Sequence, residues 1–405
     1  MQADIAIVIA AFNRPVSLQR LLNSIAAASF DGYRSVPLLI SIDYSGNDAC
    51  KKIAESFQWP HGKKTILAHE HNMGLKKHIL FCGDLSSDYD AIIVLEDDLF
   101  VAPVFYNYAQ QAYAFYKEEE KVAGIALYHN TFNEIAYCPF EPLQDGADNY
   151  FMQVPCSWGQ LWTKQQWMKF ISYANRIKDE QVFASLPGNV QGWPTTSSWK
   201  KIFYSYLLDT GKYFVYPRVG LSTNFGDAGQ HLSYQQTVFQ TTLLLSPKTF
   251  QFKKFDDSLS IYDGFFEPDG SVYNKLINAD ISVTFDLNGT KPLSSIKTYY
   301  LISSKQCSRP QKRFAVSCYP YENNIFLHIL EHEKSDSYFS FAETKFFSDQ
   351  QQFSRLPLDL KRVFLGDGFL RNAIQNELEE AQEFRLGYTL LNPVRSLKNF
   401  IKKLK

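Results

Sequence analysis

The stretch that decides the fold is Ala91-Ile92-Ile93-Val94-Leu95-Glu96-Asp97-Asp98-Leu99. Its first five residues are aliphatic without polar alternation, which is typical of a strand buried on both faces of a parallel sheet. The carboxylates of Glu96, Asp97 and Asp98 follow this strand directly, at the end where open α/β sheets bind ligands. A divalent cation would relieve the repulsion between them and lend its charge to a phosphate. The alternative interpretation is a solvated acidic turn, but the aliphatic strand immediately upstream favours a ligand site.

The chain upstream of this strand alternates apolar runs with amphipathic segments. Apolar runs at residues 5–10, 37–42 and 65–68 predict three strands, and Pro15 suits the first turn of the helix after the first of them. The resulting β-α-β-α-β-α-β order predicts an α/β fold with a doubly wound, mostly parallel sheet flanked by helices.

Polar residues follow each of these predicted strands. Arg14 follows the first strand, Asp43 the second, and His71 and Asn72 the third. Because the carboxyl ends of parallel strands meet at one edge of a sheet, we expect these side chains to lie near the acidic residues 96–98.

Composition restricts the class of protein. The chain has 405 residues, of which 45% are hydrophobic, and a net charge of -1, so it can form two domains and is not built to bind nucleic acid. Six scattered cysteines without metal-ligand spacing indicate reduced thiols. We expect neither a signal peptide nor a membrane span, because no basic n-region precedes the first strand and no run of about twenty apolar residues occurs. These features predict a cytoplasmic protein.

Two segments downstream carry further candidate residues. Residues 131–153 are polar and aromatic without a clear period, which predicts a long functional loop that carries Asp145 and Asp148. A loop with two glycines ends at His231, which could close over an anion or complete a metal shell. The alternative interpretation of His231 is an ordinary surface histidine.

These motifs resemble a known family of enzymes. Val94-Leu95-Glu96-Asp97-Asp98-Leu99, followed by Val101-Ala102-Pro103 and an aromatic residue, resembles the glycosyltransferases that add β-1,2-linked N-acetylglucosamine to glycoprotein mannose. The resemblance extends to residues 12–15, 41–43, 217–219 and 225–231. Ser157-Trp158-Gly159 with Trp162 is similar to bacterial family 2-type sugar transferases. Together these motifs span roughly the first 235 residues.

The resemblance implies a GT-A (Rossmann-like) fold, a nucleotide-sugar donor and a divalent metal ion, most often Mn²⁺ or else Mg²⁺. It implies that Asp98 binds the metal, and we add His231 as a second candidate ligand. It assigns donor contacts to residues at the strand ends, namely Arg14, Asp43, Asn72 or its neighbour His71, Glu96 and Asp97.

The catalytic base departs from the family pattern. Similar inverting enzymes supply this base from a stretch that bears Trp and Asp, whereas the corresponding residues 192–199 contain no acid. We therefore predict that Asp148 removes the proton from the acceptor hydroxyl, with Asp145 as the next candidate. The alternative interpretation of Asp148 is an ordinary loop acid.

The predicted function is metal-dependent transfer of a hexosyl or N-acetylhexosaminyl group, with inversion, from a UDP-sugar to a glycan or lipid-linked glycan, as in bacterial polysaccharide biosynthesis. One alternative is a nucleotidyltransferase that acts on sugar phosphates, but residues 12–15 lack the glycine-rich basic loop expected of it. The other is a non-catalytic carbohydrate-binding protein, which the missing acid in residues 192–199 favours.

Three regions are predicted along the chain. Residues 1–245 form the GT-A domain, residues 246–370 a β-rich accessory region, and residues 371–405 a helical tail. Val394, Leu397 and Ile401 share one stripe of the tail, and lysines and an arginine surround them. Such a basic amphipathic helix can lie on an anionic membrane, which predicts peripheral contact with its inner face. The alternative interpretation is a frayed basic terminus.

Overall fold

The computed structural model describes residues 2–177, 185–227, 238–331 and 337–353. All of them belong to the first of two units into which the chain divides, Met1–Phe353. The predicted helical tail and His231 lie outside the described residues. None of the described helices combines the length and the apolar character needed to cross a bilayer.

The strands of the described residues, in chain order, are β1 (Ile5–Ala11), β2 (Leu38–Ile42), β3 (Lys64–Ala68), β4 (Ala91–Glu96), β5 (Leu99–Val101), β6 (Val122–Ala126), β7 (Phe132–Asn133), β8 (Cys138–Pro139), β9 (Asn149–Met152), β10 (Gln160–Thr163), β11 (Tyr213–Pro217), β12 (Ser222–Asn224), β13 (Ile261–Tyr262), β14 (Val283–Asp286), β15 (Tyr300–Ser303), β16 (Lys305–Cys307), β17 (Lys312–Phe314), β18 (Phe339–Glu343) and β19 (Phe347–Gln351). The α-helices are α1 (Pro15–Ala26), α2 (Ala49–Ser56), α3 (Leu75–Asp84), α4 (Phe105–Tyr116), α5 (Lys164–Ala174), α6 (Gly188–Gln191), α7 (Trp199–Thr210), α8 (Gly270–Ile277) and α9 (Glu322–Phe326).

A nine-stranded sheet in the order β13-β9-β11-β6-β10-β4-β1-β2-β3 forms the centre of the described residues. The strands β4, β1, β2 and β3 pair in parallel, whereas β10 is inserted antiparallel between β4 and β6. The predicted α/β class, a mostly parallel sheet flanked by helices, is therefore confirmed. The aliphatic residues Ala91 to Leu95 are fully buried, as a strand covered on both faces requires.

Helices cover both faces of this sheet. Side chains of α1, α2 and α4 pack in one hydrophobic core, and those of α3, α5 and α7 pack in a second core on the opposite face. Helix α1 begins at Pro15, as predicted, and buries Leu18, Leu21, Leu22 and Ile25 against the sheet.

One edge of the sheet collects the strand ends that matter for function. Strands β1, β2, β4, β6 and β11 run in the same direction, so their carboxyl ends meet at one edge, called the carboxyl edge below. Helices α3 and α7 precede β4 and β11 and cross the sheet in the reverse direction, so both helices begin at the carboxyl edge. The edge therefore carries strand ends and helix N-termini together.

One prediction of local structure is wrong. Residues 131–153 were expected to form a loop, but residues 149–152 form β9, which pairs with β11 and β13 inside the main sheet. Their side chains are buried without polar alternation, so no period marked the strand.

The β-rich character predicted for the region after residue 245 is present in its described part. Strands β14, β15, β18 and β17 form a separate four-stranded sheet. Strand β13, also from this region, is instead an edge strand of the nine-stranded sheet. Residues on both sides of the predicted boundary at 245 thus contribute to the same sheet.

Candidate functional site

Asp97 and Asp98, directly after β4, are held by a single arginine. The guanidinium of Arg14 donates from Nη1 to Asp98 Oδ2 at 2.9 Å and pairs through Nη2 with Asp97 Oδ1. The backbone N–H of Phe12 donates to Asp97 Oδ2 at 3.2 Å. Both oxygens of Asp97 are therefore engaged, whereas Oδ1 of Asp98 is buried and has no hydrogen-bond partner among the described residues.

Burial and mutual repulsion shift the protonation of this cluster. Burial, with smaller contributions from Asp98 and Asp97, raises the pKa of Glu96 to about 8. Burial also raises the pKa of Asp97 to about 6, and the neighbouring Arg14 limits that rise. Burial lowers the pKa of Arg14, but Asp97 and Asp98 more than offset this and hold it above its ordinary value. At neutral pH the Glu96 carboxyl therefore keeps its proton.

Asp98 fits the metal predicted from the sequence. Its buried Oδ1 supplies an unsatisfied acceptor, and Mg²⁺ and Mn²⁺ prefer oxygen ligands. No group of three His, Cys, Asp or Glu side chains within the described ranges could hold an ion by itself. Mg²⁺ is commonly bound by one or two carboxylates together with substrate phosphates, so a site with few protein ligands suits a donor diphosphate.

Asp43, at the end of β2, fixes the loop that leads into α3. Its Oδ1 accepts backbone N–H groups of Tyr44 at 2.9 Å and Met73 at 2.7 Å, and its Oδ2 accepts that of Gly74 at 3.1 Å. The side chain of Asn72 donates to the carbonyl of Tyr44 at 2.9 Å. Asp43 and Asn72, both predicted donor contacts, thus lie together at the carboxyl edge.

A buried histidine fixes α3 beneath this loop. Nε2 of His78 lies 2.8 Å from Ser41 Oγ, and Nε2 of His69 lies 3.1 Å from the same oxygen. Burial lowers the pKa of His78 to about 4, although the charge of Asp43 acts in the opposite direction. His78 is therefore neutral at physiological pH and serves as a fixed hydrogen-bond partner.

The segment after β12 returns to the acidic residues. Strand β12 pairs antiparallel with β5, and the N–H of Phe225 donates to the carbonyl of Asp98 at 3.0 Å. Asp227 accepts a hydrogen bond from Ser17 Oγ at 2.6 Å and pairs with Arg20 of α1. The Arg20 guanidinium in turn lies 3.7 Å from the ring centroid of Phe225. The predicted metal ligand His231 follows four residues later, outside the described residues.

Sequence reasoning missed a lysine at the same edge. Lys200, the second residue of α7, places Nζ 5.4 Å from the ring centroid of Trp158 and 5.7 Å from that of Trp193. Its charge acts on Glu96 and lowers the pKa of that carboxyl slightly against the dominant effect of burial. Residues 192–199 differ from the family pattern by their lack of an acid, and the lysine that follows them carries no motif that would mark it in the sequence.

The structure does not place Asp145 where a base could act. Its side chain is 1% exposed and pairs with Arg218 Nη2 at 3.0 Å. It also accepts hydrogen bonds from Ser258 Oγ at 2.9 Å and from the N–H of Leu259 at 3.0 Å. Burial raises its pKa, but these partners together hold it below its ordinary value. Asp145 is therefore a buried anchor of the fold.

Asp148 also lies apart from the acidic residues. It precedes β9 directly, and its carboxylate accepts from Lys248 Nζ at 2.7 Å and from the N–H of Gln251 at 2.8 Å. Strand β9 is four strands from β4 in the sheet, which corresponds to about 19 Å. Residues 149–152, directly after Asp148, are part of the sheet, so the geometry does not support Asp148 as the base.

Comparison with known proteins gives one family match. Residues 6–134 match the profile of the family described as Glycosyl transferase family 2, and this segment contains Arg14, Asp43 and the acidic residues of β4. A search of curated proteins found no match.

Several solved structures are similar to parts of the chain. A mannosyltransferase from Pyrobaculum calidifontis in complex with GDP-Man and Mn²⁺ is 9% identical over 41% of this chain and 46% of its own, with a TM-score of 0.30. TarS 1-349 of S. aureus in complex with UDP is 11% identical over 54% and 59%, with a TM-score of 0.35. GalNAc-T7 with UDP, GalNAc and Mn²⁺ is 13% identical over 54% and 43%, with a TM-score of 0.39. The chain spans about half the length of each of these structures.

Proposed function

We propose that the chain is a metal-dependent glycosyltransferase. In this proposal it transfers a hexosyl or N-acetylhexosaminyl group from a nucleotide sugar, a UDP-sugar, to a glycan or lipid-linked glycan acceptor. The observation that carries the proposal is the buried, unpartnered Oδ1 of Asp98 at the end of a central parallel strand. The family match of residues 6–134 supports the same class of reaction.

Asp98 and Glu96 are proposed to have different roles in binding the donor. Asp98 would hold a Mn²⁺ or Mg²⁺ ion, which as a Lewis acid stabilises negative charge on the departing diphosphate. Arg14 orients Asp98 by pairing with its other oxygen and with Asp97. The carboxyl of Glu96, protonated at neutral pH, can donate a hydrogen bond to a hydroxyl group of the donor.

Asp43 is proposed to contact the nucleoside. Its Oδ2 accepts one N–H group, from Gly74, so a further lone pair can accept an N–H or O–H of a base or ribose. The loop of residues 72–74 is held against the end of β2 by the same carboxylate. The Asp43 carboxylate that would contact the nucleoside is therefore held in place by backbone N–H groups.

Stereochemistry of the transfer and location in the cell are two further parts of the proposed function. We propose inversion at the anomeric carbon, as in the enzymes that the sequence resembles. We propose that the protein acts in the cytoplasm at the inner face of a membrane, on a lipid-linked glycan of bacterial polysaccharide biosynthesis. The basic, amphipathic sequence of residues 394–405 supports that location.

Calorimetry with UDP and Mn²⁺ tests the proposed function. We expect Asp98→Asn to weaken UDP affinity in the presence of Mn²⁺ by at least about tenfold, because the variant loses a ligand charge. Uridine binding should be unaffected in the same variant. Asp88→Asn is the matched control, since Asp88 is an exposed acid just upstream of β4.

A folded Asp98→Asn variant with unchanged metal-dependent UDP affinity would contradict the metal role. Mn²⁺-dependent hydrolysis of UDP-sugars by the unmodified protein separates the enzyme from a carbohydrate-binding protein on the same fold. A binding protein would retain UDP-sugar without releasing UDP.

A further inference from the structure

A lysine without a counter-ion lies beside the candidate site and has no role in the mechanism above. Lys200 forms neither a hydrogen bond nor an ion pair with any residue in the described ranges. Its ammonium group instead lies near the indole rings of Trp158 and Trp193, 5.4 and 5.7 Å from their centroids. Lys200 is also the second residue of the 12-residue helix α7, whose N-terminus carries partial positive charge. Two sources of positive charge therefore coincide at this point of the carboxyl edge.

A buried glutamine lies on the same face of the sheet. Gln160 begins β10 and is fully buried, yet its amide oxygen and nitrogen both lack hydrogen-bond partners in the part of the chain that the structure describes. Gln160 pairs with Val94, so its side chain shares the sheet face of Val94 and Glu96. A buried amide without partners costs free energy, and a polar ligand would supply the missing hydrogen bonds.

The positions of Lys200 and Gln160 separate them from the metal-binding end of the site. Both belong to the sheet face covered by α3, α5 and α7. Arg14, which pairs with Asp97 and Asp98, leads into α1 on the opposite face. Strand β10 also separates β4 from β6, so Gln160 lies on the side of β4 away from β1 and β2. A ligand at Lys200 and Gln160 would thus lie on the β10 side of β4, whereas Arg14 and Asp43 follow β1 and β2 on its other side.

We propose that Lys200, Gln160, Trp158 and Trp193 form a subsite for an acceptor sugar that carries an anionic group, either a carboxylate or a phosphate. This inference rests on the proposed function, because it assigns the acceptor of the same site. Lys200 and the N-terminus of α7 bind the anionic group. The indole faces pack against the apolar face of the sugar ring, and the Gln160 amide binds a hydroxyl.

Binding of simple sugars tests the subsite without the transfer reaction. Glucuronate, glucose 6-phosphate and glucose are titrated at low ionic strength, with tryptophan fluorescence as the readout, since two indoles flank Lys200. We expect at least one anionic sugar to bind at least tenfold more tightly than glucose, and the preferred sugar identifies the anionic group. Lys200→Gln should abolish this preference and Lys200→Arg should retain it, because the charge is kept.

Lys117→Gln is the matched control. Lys117 also lies near an aromatic ring, 6.0 Å from the centroid of Tyr113, but it follows α4 at the other end of the strands. The control should keep the preference for the anionic sugar. Equal affinity for all three sugars, or a preference that survives in Lys200→Gln, would overturn the proposal.

A second measurement distinguishes the acceptor from the donor as the source of the anion. Lys200→Gln should bind UDP in Mn²⁺ with unchanged affinity. A loss of tenfold or more for UDP, with uridine binding intact, would assign Lys200 to the donor diphosphate and overturn the acceptor subsite. Because the sugar titrations need neither UDP nor metal, failure of Asp98→Asn to affect UDP binding would refute the proposed function separately.

Discussion

Acidification from pH 7 to pH 5 is expected to lower the free energy of unfolding by about 2 kcal/mol through His78 alone. Burial lowers the pKa of this imidazole to about 4 in the folded protein, against an ordinary value of 6.5. Between these two values the unfolded chain binds a proton that the folded protein does not, so stability is lost as the pH falls. At pH 5 the unfolded histidine is almost fully protonated and the folded one is mostly neutral, which gives the stated magnitude.

Urea unfolding at pH 7 and pH 5, for the unmodified protein and for His78→Gln, measures this contribution. The variant should lose about 2 kcal/mol less stability over the same pH interval, whatever its stability at pH 7. The exposed His71 provides the control, and His71→Gln should keep the pH dependence of the unmodified protein. An identical pH dependence in His78→Gln would refute the assignment. Because His78 fixes α3 beneath Asp43, hydrogen exchange at residues 73–78 should also accelerate toward pH 5.

Further predictions concern substitutions of Asp145 and Asp148 and of the buried Gly83. Asp145→Asn should lower the free energy of unfolding by about 3–5 kcal/mol, because it leaves its buried arginine partner without a counter-charge, whereas Asp148→Asn should cost about 0–1 kcal/mol. Sugar transfer by Asp148→Asn should stay near the normal rate, and a loss of a hundredfold or more would restore Asp148 as the base. Gly83→Ala should cost about 1–3 kcal/mol in urea unfolding despite the better helix propensity of alanine, since its Cβ would lie 2.0 Å from the Trp167 indole. A Cβ added at Gly188 would have no neighbouring atom within 4 Å, so Gly188→Ala should change the free energy of unfolding by less than about 0.5 kcal/mol. Equal effects of Gly83→Ala and Gly188→Ala would contradict the packing argument.

The parallel part of the fold could be predicted because its strands are continuous aliphatic runs. Residues 5–10 and 91–95 have the pattern of strands buried on both faces, and the structure buries them so. Their parallel direction predicts that Arg14, Asp43 and the acidic residues meet at one edge of the sheet. Strands β9 and β10 are four residues long and sit in a polar, aromatic context, so periodicity could not mark them.

The site could be predicted only to the level of which residues meet. The sequence predicts Arg14 at the carboxyl edge as a donor contact. It does not predict the pairing of Arg14 with Asp97 and Asp98, because these residues are more than 80 positions apart and form no local pattern. An apparent loop predicts Asp145 and Asp148 as candidate bases, but in the structure both carboxylates have cationic partners. Lys200 was overlooked since an isolated lysine at the start of a helix carries no motif, and its role depends on two distant indoles.

The antiparallel insertion of β10 has a consequence for how the chain is made. During synthesis β4 can pair with β1 at once, but its other side stays open until Gln160 emerges roughly 60 residues later, about 3–12 s at ~5–20 residues per second. Throughout that interval an aliphatic strand presents an unpaired edge to other nascent chains. Asp88 and Asp90 precede this strand, Glu96 ends it, and Asp97 and Asp98 follow it. Charges at the ends of a strand oppose intermolecular strand pairing. The carboxylates that serve the folded site thus also protect the strand before the site exists.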